Sequence, residues 1–107
     1  MADTITYKRG DTWRAVFTYT GVDLTGCSAR AQIRNKRDDT LYLSGSSTSG
    51  ELVVDGVAGT ITMRFEPEVT VEVPVGTHEA DIEVTYSDGT VESSDTFLVK
   101  VLEDITR

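Results

Sequence analysis

The chain's single histidine, His78, and its single cysteine, Cys27, are the first candidates for chemistry. A thiol acts as a nucleophile when a base lies within hydrogen-bond reach and a third group orients that base. His78 belongs to the inward-facing series of a predicted strand, and Cys27 follows a turn glycine, so the pattern does not bring the two together. We therefore interpret His78 as a structural histidine and Cys27 as a small buried thiol, and we predict that the protein is not an enzyme.

Metal ligands are also sparse. A zinc site needs four nitrogen or sulfur ligands, or three and a water, and one histidine with one cysteine falls short of that number. Calcium takes six to eight oxygens that usually converge from a loop. The nearest approaches to such a loop are Asp38-Asp39 and the pair Asp81 and Glu83, which shares one outer strand face. We expect no metal and no cofactor, with a calcium-binding loop left as an alternative.

Two further motifs point to ordinary structure. Carboxylates are numerous, but no motif selects the facing pair that glycoside hydrolysis uses. Arg9-Gly10-Asp11 spells a tripeptide known from adhesion proteins. It lies between two predicted strands, where glycine and aspartate are common turn residues. We interpret it as a turn.

Basic side chains are concentrated in the first third of the chain. Residues 1–37 carry seven basic and three acidic residues, a net charge of +4, whereas residues 38–107 carry three basic and fifteen acidic residues, a net charge of -12. The total of -8 repels nucleic acid and anionic membranes, so neither is an expected partner. Five basic residues are predicted on one face that lacks aromatic rings for base stacking, which favours an acidic protein partner over nucleic acid, with an ordinary solvated face as the default alternative. They are Arg14, Arg30, Arg34, Lys36 and Arg37.

Both ends of the chain supply further candidate contacts. The segments Ala2–Tyr7 and Leu102–Arg107 are candidate contact arms, with the alternative that they are simply outer strands of the monomer. If the fold separates the basic and acidic regions, copies could attract one another head to tail. Alternatively, the charge asymmetry is a sequence statistic, because a sandwich interleaves early and late strands. The complete set of candidate protein contacts is Lys8, Arg9, Arg14, Arg30, Arg34, Lys36, Arg37, Ile105 and Arg107.

The elements that position these residues are predicted to be strands. Apolar and polar residues alternate through Trp13–Tyr19 and His78–Tyr86, the period of half-buried strands. Asp88-Gly89 is a strong hairpin signal. The alternating valines of Glu68–Val75 favour extended chain, with a single helical turn as the alternative. Residues 1–107 are thus predicted to form one domain, an immunoglobulin-like β-sandwich of about seven short antiparallel strands.

The expected compartment is a reducing one. A single cysteine cannot form an internal disulfide, so the fold depends on packing alone. This is expected of a protein made in a reducing cytoplasm. No apolar run approaches the ~20 residues that cross a bilayer. The start of the chain has neither the basic nor the apolar region of a secretion signal, so we expect none.

Short signals in a fixed order run through nearly the whole chain. They are Ile5–Thr12, Val22–Arg34, Gly59–Thr62, Pro74–Gly76, Ala80–Ile82, Ser87–Val91 and Ile105–Arg107. Together they resemble a family of small bacteriophage virion proteins and the similar modules that open some phage upper-baseplate proteins. The chain departs from that family at Glu68–Val73, where the relatives are more helix-like and richer in alanine.

The resemblance implies an immunoglobulin-like sandwich that serves as a non-enzymatic structural piece of a phage or prophage particle. The expected place is the tail, baseplate or fibre attachment, and the expected partners are other virion proteins and copies of this chain. The expected location is the virion, after synthesis in the bacterial cytoplasm. Two alternatives stay open: a capsid decoration protein, and a host-surface adhesion module that binds glycan or protein through the loop Ser44–Gly50.

Overall fold

Two β-sheets pack against one apolar core in the computed structural model, which describes residues 3–94 and 96–105. The predicted all-β sandwich is thereby confirmed. The described elements are β1 (Thr4–Lys8), β2 (Trp13–Thr18), β3 (Ser28–Arg34), β4 (Leu41–Ser46), β5 (Leu52–Asp55), β6 (Thr60–Phe65), α1 (Pro67–Thr70), β7 (Gly76–Thr85), β8 (Val91–Ser93) and β9 (Phe97–Leu102).

The larger sheet has the order β1-β9-β7-β3-β4, with β8 paired to the far end of β7, and the smaller sheet has the order β2-β6-β5. Every described pair is antiparallel except β1 with β9. The described residues therefore contain nine strands rather than about seven, and one pair is parallel. A parallel pair needs a long crossover, and here nearly the whole domain separates the first strand from the last.

The core follows the predicted two-residue period. Trp13 is fully buried, and its indole Nε1 donates to the carbonyl oxygen of Lys8 at 2.8 Å, so its polar edge has a partner. His78 is 5% exposed, as its place in the inward series predicted, whereas Cys27 is only half-buried. The largest fully buried side chains are Trp13, Phe65, Leu24, Ile33, Leu52, Ile61, Met63 and Ile82.

The stretch after β6 is helical where the valine alternation favoured extended chain, so that preference is wrong and its alternative is right. Pro67 occupies the first turn of α1, where its missing N–H and fixed φ suit a helix. Thr70, which is fully buried, donates from Oγ1 to the carbonyl oxygen of Asp11 at 2.7 Å. Val73 is also fully buried. Tertiary contacts of this kind outweigh the strand propensity of valine.

The return strand of the last hairpin is broken into β8 and β9. Ser94 lies at the break, where its N–H donates to the carbonyl oxygen of Ile82 and its Oγ accepts from the N–H of Ile82. The side chain thus replaces one rung of the ladder. Val91, predicted on the same face as Phe97 and Val99, is 53% exposed because the break shifts the alternation.

Candidate interaction surfaces

The residues considered for catalysis lie at opposite ends of the larger sheet. His78 lies near the start of β7, and Cys27 directly precedes Ser28, which pairs with Thr85 at the other end of that strand. Seven residues of strand correspond to about 23 Å, so thiol and imidazole do not meet. The Nε2 of His78 is instead hydrogen-bonded to the carbonyl oxygen of Pro74 at 2.7 Å. Its ring packs edge-on against Tyr42, with the ring centroids 4.8 Å apart.

The acidic residues considered for calcium do not converge. In the described part of the chain, no group of three or more His, Cys, Asp or Glu side chains is placed to hold a metal ion. Asp38 accepts hydrogen bonds from the backbone N–H and the hydroxyl of Thr40, which lower the pKa of its carboxyl group. Asp38 therefore acts as a turn residue in this structure.

Two of the predicted basic contacts, Arg30 and Arg34, lie on the outer face of β3 opposite acidic residues of β7. Arg30 pairs in register with Glu83, and its Nε lies 2.9 Å from the carboxylate Oε1. Arg34 is in register with Glu79. A shallow groove of about 260 Å³ runs beside this mixed row. The basic row of the sequence is therefore half of a mixed basic and acidic surface.

Arg34 also supports the turn that carries two further candidates, Lys36 and Arg37. Its guanidinium donates to the Gln32 side chain at 2.9 and 3.1 Å and to the carbonyl oxygen of Asp39 at 2.9 Å. Lys36 and Arg37 are exposed in this β3–β4 turn. The structure brings Arg34, Lys36 and Arg37 together at one end of the larger sheet.

Arg14 does not belong to that surface, so the prediction of one basic face is wrong for it. Arg14 lies on the outer face of β2 in the smaller sheet, whereas Arg30 and Arg34 lie on the outer face of the larger sheet. A two-residue period shows on which side of its strand a residue lies. It does not show which sheet contains the strand.

The Arg9-Gly10-Asp11 tripeptide forms the turn between β1 and β2, as predicted. Gly10 has a φ of +86°, a left-handed conformation that glycine adopts without steric cost. Arg9 Nε donates to the carbonyl oxygen of Val71 at 2.7 Å. Together with the bond from Thr70 to Asp11, this contact ties the turn to the segment that begins with α1. Lys8, at the end of β1, is exposed.

The two candidate arms differ in how far the structure describes them. Thr4–Tyr7 belong to β1, an outer strand of the larger sheet, as the monomer-strand alternative proposed. Ile105 follows β9 and is 85% exposed. The predicted contact Arg107 lies outside the described residues, as do Ala2 and Thr106 at the ends of the two arms.

The predicted loop Ser44–Gly50, a candidate for glycan binding, is shorter than expected, because residues 44–46 belong to β4. The rest of the loop is held by hydrogen bonds within it and to β3. Ser47 bonds to Ala29 twice, through its own N–H and through its hydroxyl. Glu51 accepts from the backbone N–H of Ser46 and from the hydroxyl of Ser49, and these bonds lower the pKa of Glu51.

An arginine pair on the smaller sheet was missed by the sequence analysis. Arg14 and Arg64 are in register on β2 and β6. The N–H of Arg64 donates to the carbonyl oxygen of Glu51, on the β5 side, so Arg14 and Arg64 face each other at a non-hydrogen-bonded position, where side chains are closest. Arg64 Nε lies 2.7 Å from the carboxylate of Glu66. The outward positions of both arginines could be read from the sequence, but their pairing required the register.

The side chain of Tyr7 links β1 to β2 at one side of the sandwich. Tyr7 stacks on Trp13 with centroids 5.1 Å apart, and its hydroxyl donates to the carbonyl oxygen of Arg14 at 3.0 Å. Burial raises the pKa of Tyr7. Towards the start of β1, Thr4 and Thr6 direct their peptide groups away from β9. The carbonyl oxygen of Asp3 accepts from Leu98 of β9, and the N–H of Arg9 donates to Leu102 of β9. Because alternate residues of a strand bond to the same side, the odd-numbered residues of this stretch bond to β9, and Thr4 and Thr6 point the other way.

Among the residues that the structure describes, no helix combines the length and apolar character needed to cross a bilayer. No protein-family model matches the chain, and no curated protein shows significant similarity to it.

Proposed function

We propose that this chain is a non-enzymatic structural protein of a bacteriophage particle, a tail, baseplate or fibre-attachment component that acts by protein–protein assembly. The proposal includes an immunoglobulin-like type for the sandwich, a location in the virion, and other virion proteins together with copies of this chain as partners. It rests on the resemblance of the ordered sequence signals, and one structural observation supports it, namely the open strand edges of the sandwich.

The edge of β1 is the clearest of these. No strand pairs with its outer side in the described part of the chain, and the peptide groups of Thr4 and Thr6 point that way. Edge strands are commonly blocked by proline, by lysine or by a bulge, because an unpaired edge invites another chain to pair with it. Neither β1 nor β2 contains proline, and the one lysine of β1, Lys8, lies at its last position, beyond Thr4 and Thr6. Such an edge suits a protein that is held by strand addition from a neighbour.

The β2 edge strengthens the same argument. In β2 the odd-numbered residues bond to β6, so the peptide groups of Arg14, Val16 and Thr18 point away from β6. The carbonyl oxygen of Arg14 accepts from the Tyr7 hydroxyl, whereas Val16 and Thr18 have no such bond from Tyr7. β2 thus also presents an unpaired edge in the described part of the chain. Each of the two edges offers hydrogen-bond partners to a strand from a neighbour.

Immunogold electron microscopy tests the proposal. An antibody to this protein is applied to phage particles induced from the source culture, with an antibody to a major head protein as the labelling control. Gold at the tail end is the expected result. Gold over the head assigns the protein to capsid decoration. Particles that carry only the control label contradict a virion role, and binding of the protein to host cells or glycans then becomes the measurement that decides for the adhesion alternative.

A further inference from the structure

The open edge of β1 presents a defined set of backbone groups. Because its odd-numbered residues bond to β9, the peptide groups of Thr4, Thr6 and Lys8 point outward. One of them is already used, since the carbonyl oxygen of Lys8 accepts from the N–H of Asp11 at 3.2 Å and from the indole of Trp13 at 2.8 Å. In the described part of the chain, both groups of Thr4 and Thr6 and the N–H of Lys8 remain for a neighbour.

We propose that this edge pairs with β1 of a second copy of the chain, antiparallel, about a two-fold axis that passes between the two Thr6 residues at right angles to the sheet. Thr6 and its counterpart then bond to each other in both directions. The N–H of each Lys8 donates to the carbonyl oxygen of Thr4 in the other copy. The two larger sheets become one continuous sheet with the order β4-β3-β7-β9-β1-β1-β9-β7-β3-β4.

The side chains of β1 match one another about Thr6. Ile5 lies opposite Tyr7 of the other copy at a non-hydrogen-bonded position, where side chains are closest. Both are half-buried, and an aromatic ring opposite a β-branched side chain stabilises a strand pair. Asp3 lies opposite Arg9 of the other copy, and both are exposed. Among the described residues Arg9 donates only through Nε, so its terminal nitrogens remain for that carboxylate.

The neighbouring registers fit less well. An axis moved to Ile5 places the carboxylate of Asp3 opposite the ring of Tyr7 and removes it from Arg9. An axis moved to Tyr7 places Thr6 opposite Lys8, whose carbonyl oxygen is already occupied. The register centred on Thr6 therefore combines backbone bonding with favourable side-chain pairs.

The other strand edges are less available to a second copy. At the β4 edge, the carbonyl oxygen of Ser46 accepts from the N–H of Gly50, and its N–H donates to the carboxylate of Glu51. At the β2 edge, the carbonyl oxygen of Arg14 accepts from the Tyr7 hydroxyl. β5 has only four residues. The edge of β1 is thus the one whose central residue has both backbone groups open and whose side chains complement themselves.

The contact is small. A strand of five residues is ~17 Å long, so this edge buries far less than the ~800 Å² that each partner buries in a standard interface. The dimer is therefore weak in solution and is favoured by high concentration, as when copies are held together in an assembly. The inference deepens the proposed function and rests on it in taking the neighbour to be a copy of this chain.

Sedimentation velocity of the full chain from micromolar to millimolar concentration is the first test, and a reversible monomer–dimer equilibrium is expected. Thr6→Pro removes the central N–H, which has no partner in the monomer, and edge strands tolerate proline. It is expected to weaken the dimer by more than about tenfold, equivalent to ~1.4 kcal/mol. The matched control is Thr18→Pro, the same change at an outward position of β2, which leaves the equilibrium unchanged. Circular dichroism melts establish that both variants are folded.

Disulfide formation locates the contact without a disruptive change. In a Cys27→Ser background, Thr6→Cys places two thiols at a hydrogen-bonded pair with Cα atoms ~5.5 Å apart, within the range that a disulfide spans. The matched control is Thr4→Cys on the same exposed face, whose counterpart lies ~14 Å away in the proposed register. Mild oxidation is expected to link copies at residue 6 and not at residue 4.

Two results overturn the proposal: a chain that stays monomeric at millimolar concentration, or a dimer that forms the disulfide at residue 4 as readily as at residue 6. Neither contradicts the proposed function if gold still labels the phage tail, because contacts with other virion proteins can hold the chain there. A Thr6-centred dimer of the pure protein together with unlabelled particles contradicts the virion role and leaves the strand pairing in place.

Discussion

At the scale of single residues, most chemically distinctive side chains here have structural partners. The indole of Trp13 bonds to Lys8, the imidazole of His78 to Pro74, and the guanidinium of Arg9 to Val71. No buried side-chain nitrogen or oxygen lacks a hydrogen-bond partner among the described residues. A long-range bond from a buried polar group is costly to remove, because the remaining partner loses its hydrogen bond without regaining water.

Thr70→Val tests this at the contact between α1 and the β1–β2 turn. The substitution keeps the shape but removes the 2.7 Å bond from Thr70 Oγ1 to the carbonyl oxygen of Asp11. We expect the free energy of unfolding to fall by about 1–2 kcal/mol in urea denaturation. The control is Thr62→Val on the outer sheet face, for which a change within about 0.5 kcal/mol is expected. Equal effects at the two sites would contradict the role assigned to Thr70.

The free energy of unfolding at low pH also depends on individual residues. Backbone and hydroxyl hydrogen bonds from Thr90 lower the pKa of Asp88, and hydrogen bonds from Thr25 lower the pKa of Asp23. A carboxyl group whose pKa is lower in the folded state contributes stability above its unfolded pKa. That contribution is lost as the pH falls through the folded value.

We therefore expect unfolding to become easier as the pH falls below the ordinary aspartate range. In Asp88→Asn this pH dependence is reduced, and the variant approaches the wild type at the lowest pH, where Asp88 is protonated. Urea denaturation between pH 7 and pH 2 measures both curves. Parallel curves over the whole range would show that Asp88 does not contribute to the loss of stability at low pH.

At the scale of elements, the strands were predictable and their connections less so. Two-residue alternation identifies a strand from its own sequence. The same alternation misled at Glu68–Val75, because Pro67 and the burial of Thr70 and Val73 select a helical turn there. Similarly, the break between β8 and β9 depends on the bonds between Ser94 and Ile82, a contact between two strands.

Gly56→Ala tests how tightly two connections at one end of the sandwich are packed. A β-carbon at Gly56 would lie 2.5 Å from the Cα of Thr25, in the loop that also contains the buried Leu24. Because backbone cannot yield as a flexible side chain does, we expect a loss of about 1–3 kcal/mol in the free energy of unfolding.

Gly50→Ala provides the comparison. Nothing lies near a β-carbon there, but φ is +99°, so only backbone strain of about 1–2 kcal/mol applies. Thermal unfolding of the two variants separates steric overlap from strain. A Gly56 variant as stable as the wild type would show that the loop of Thr25 moves freely away from the β5–β6 turn.

At the scale of the whole molecule, the fold redistributes the charge of the sequence. Residues 1–37 supply β1, β2 and β3, which lie in both sheets. The bases of β3 are paired in register with the acids of β7. Part of the basic region of the chain therefore lies beside part of the acidic region, as expected if the asymmetry is a sequence statistic. The head-to-tail attraction between copies stays a prediction.

This distribution predicts how salt acts on self-association. Two molecules of net charge -8 repel each other, and salt screens that repulsion. Exposed ion pairs between copies contribute only about 0–1 kcal/mol each. We therefore expect the association between copies that the proposed function includes to strengthen from low to molar salt in sedimentation experiments. Weaker association at high salt would instead indicate the head-to-tail attraction between unlike regions.

The sequence by itself determined the all-β class, the inward series of Trp13 and His78, and the turn at Arg9-Gly10-Asp11. Each depends on neighbours within a few residues, where strand periodicity and turn geometry act. Only the tertiary structure decided that Arg14 faces Arg64 rather than shares a surface with Arg30, that β1 lies parallel to β9, and that α1 is helical. These features depend on register and on contacts between residues far apart in the chain, which a local pattern does not contain.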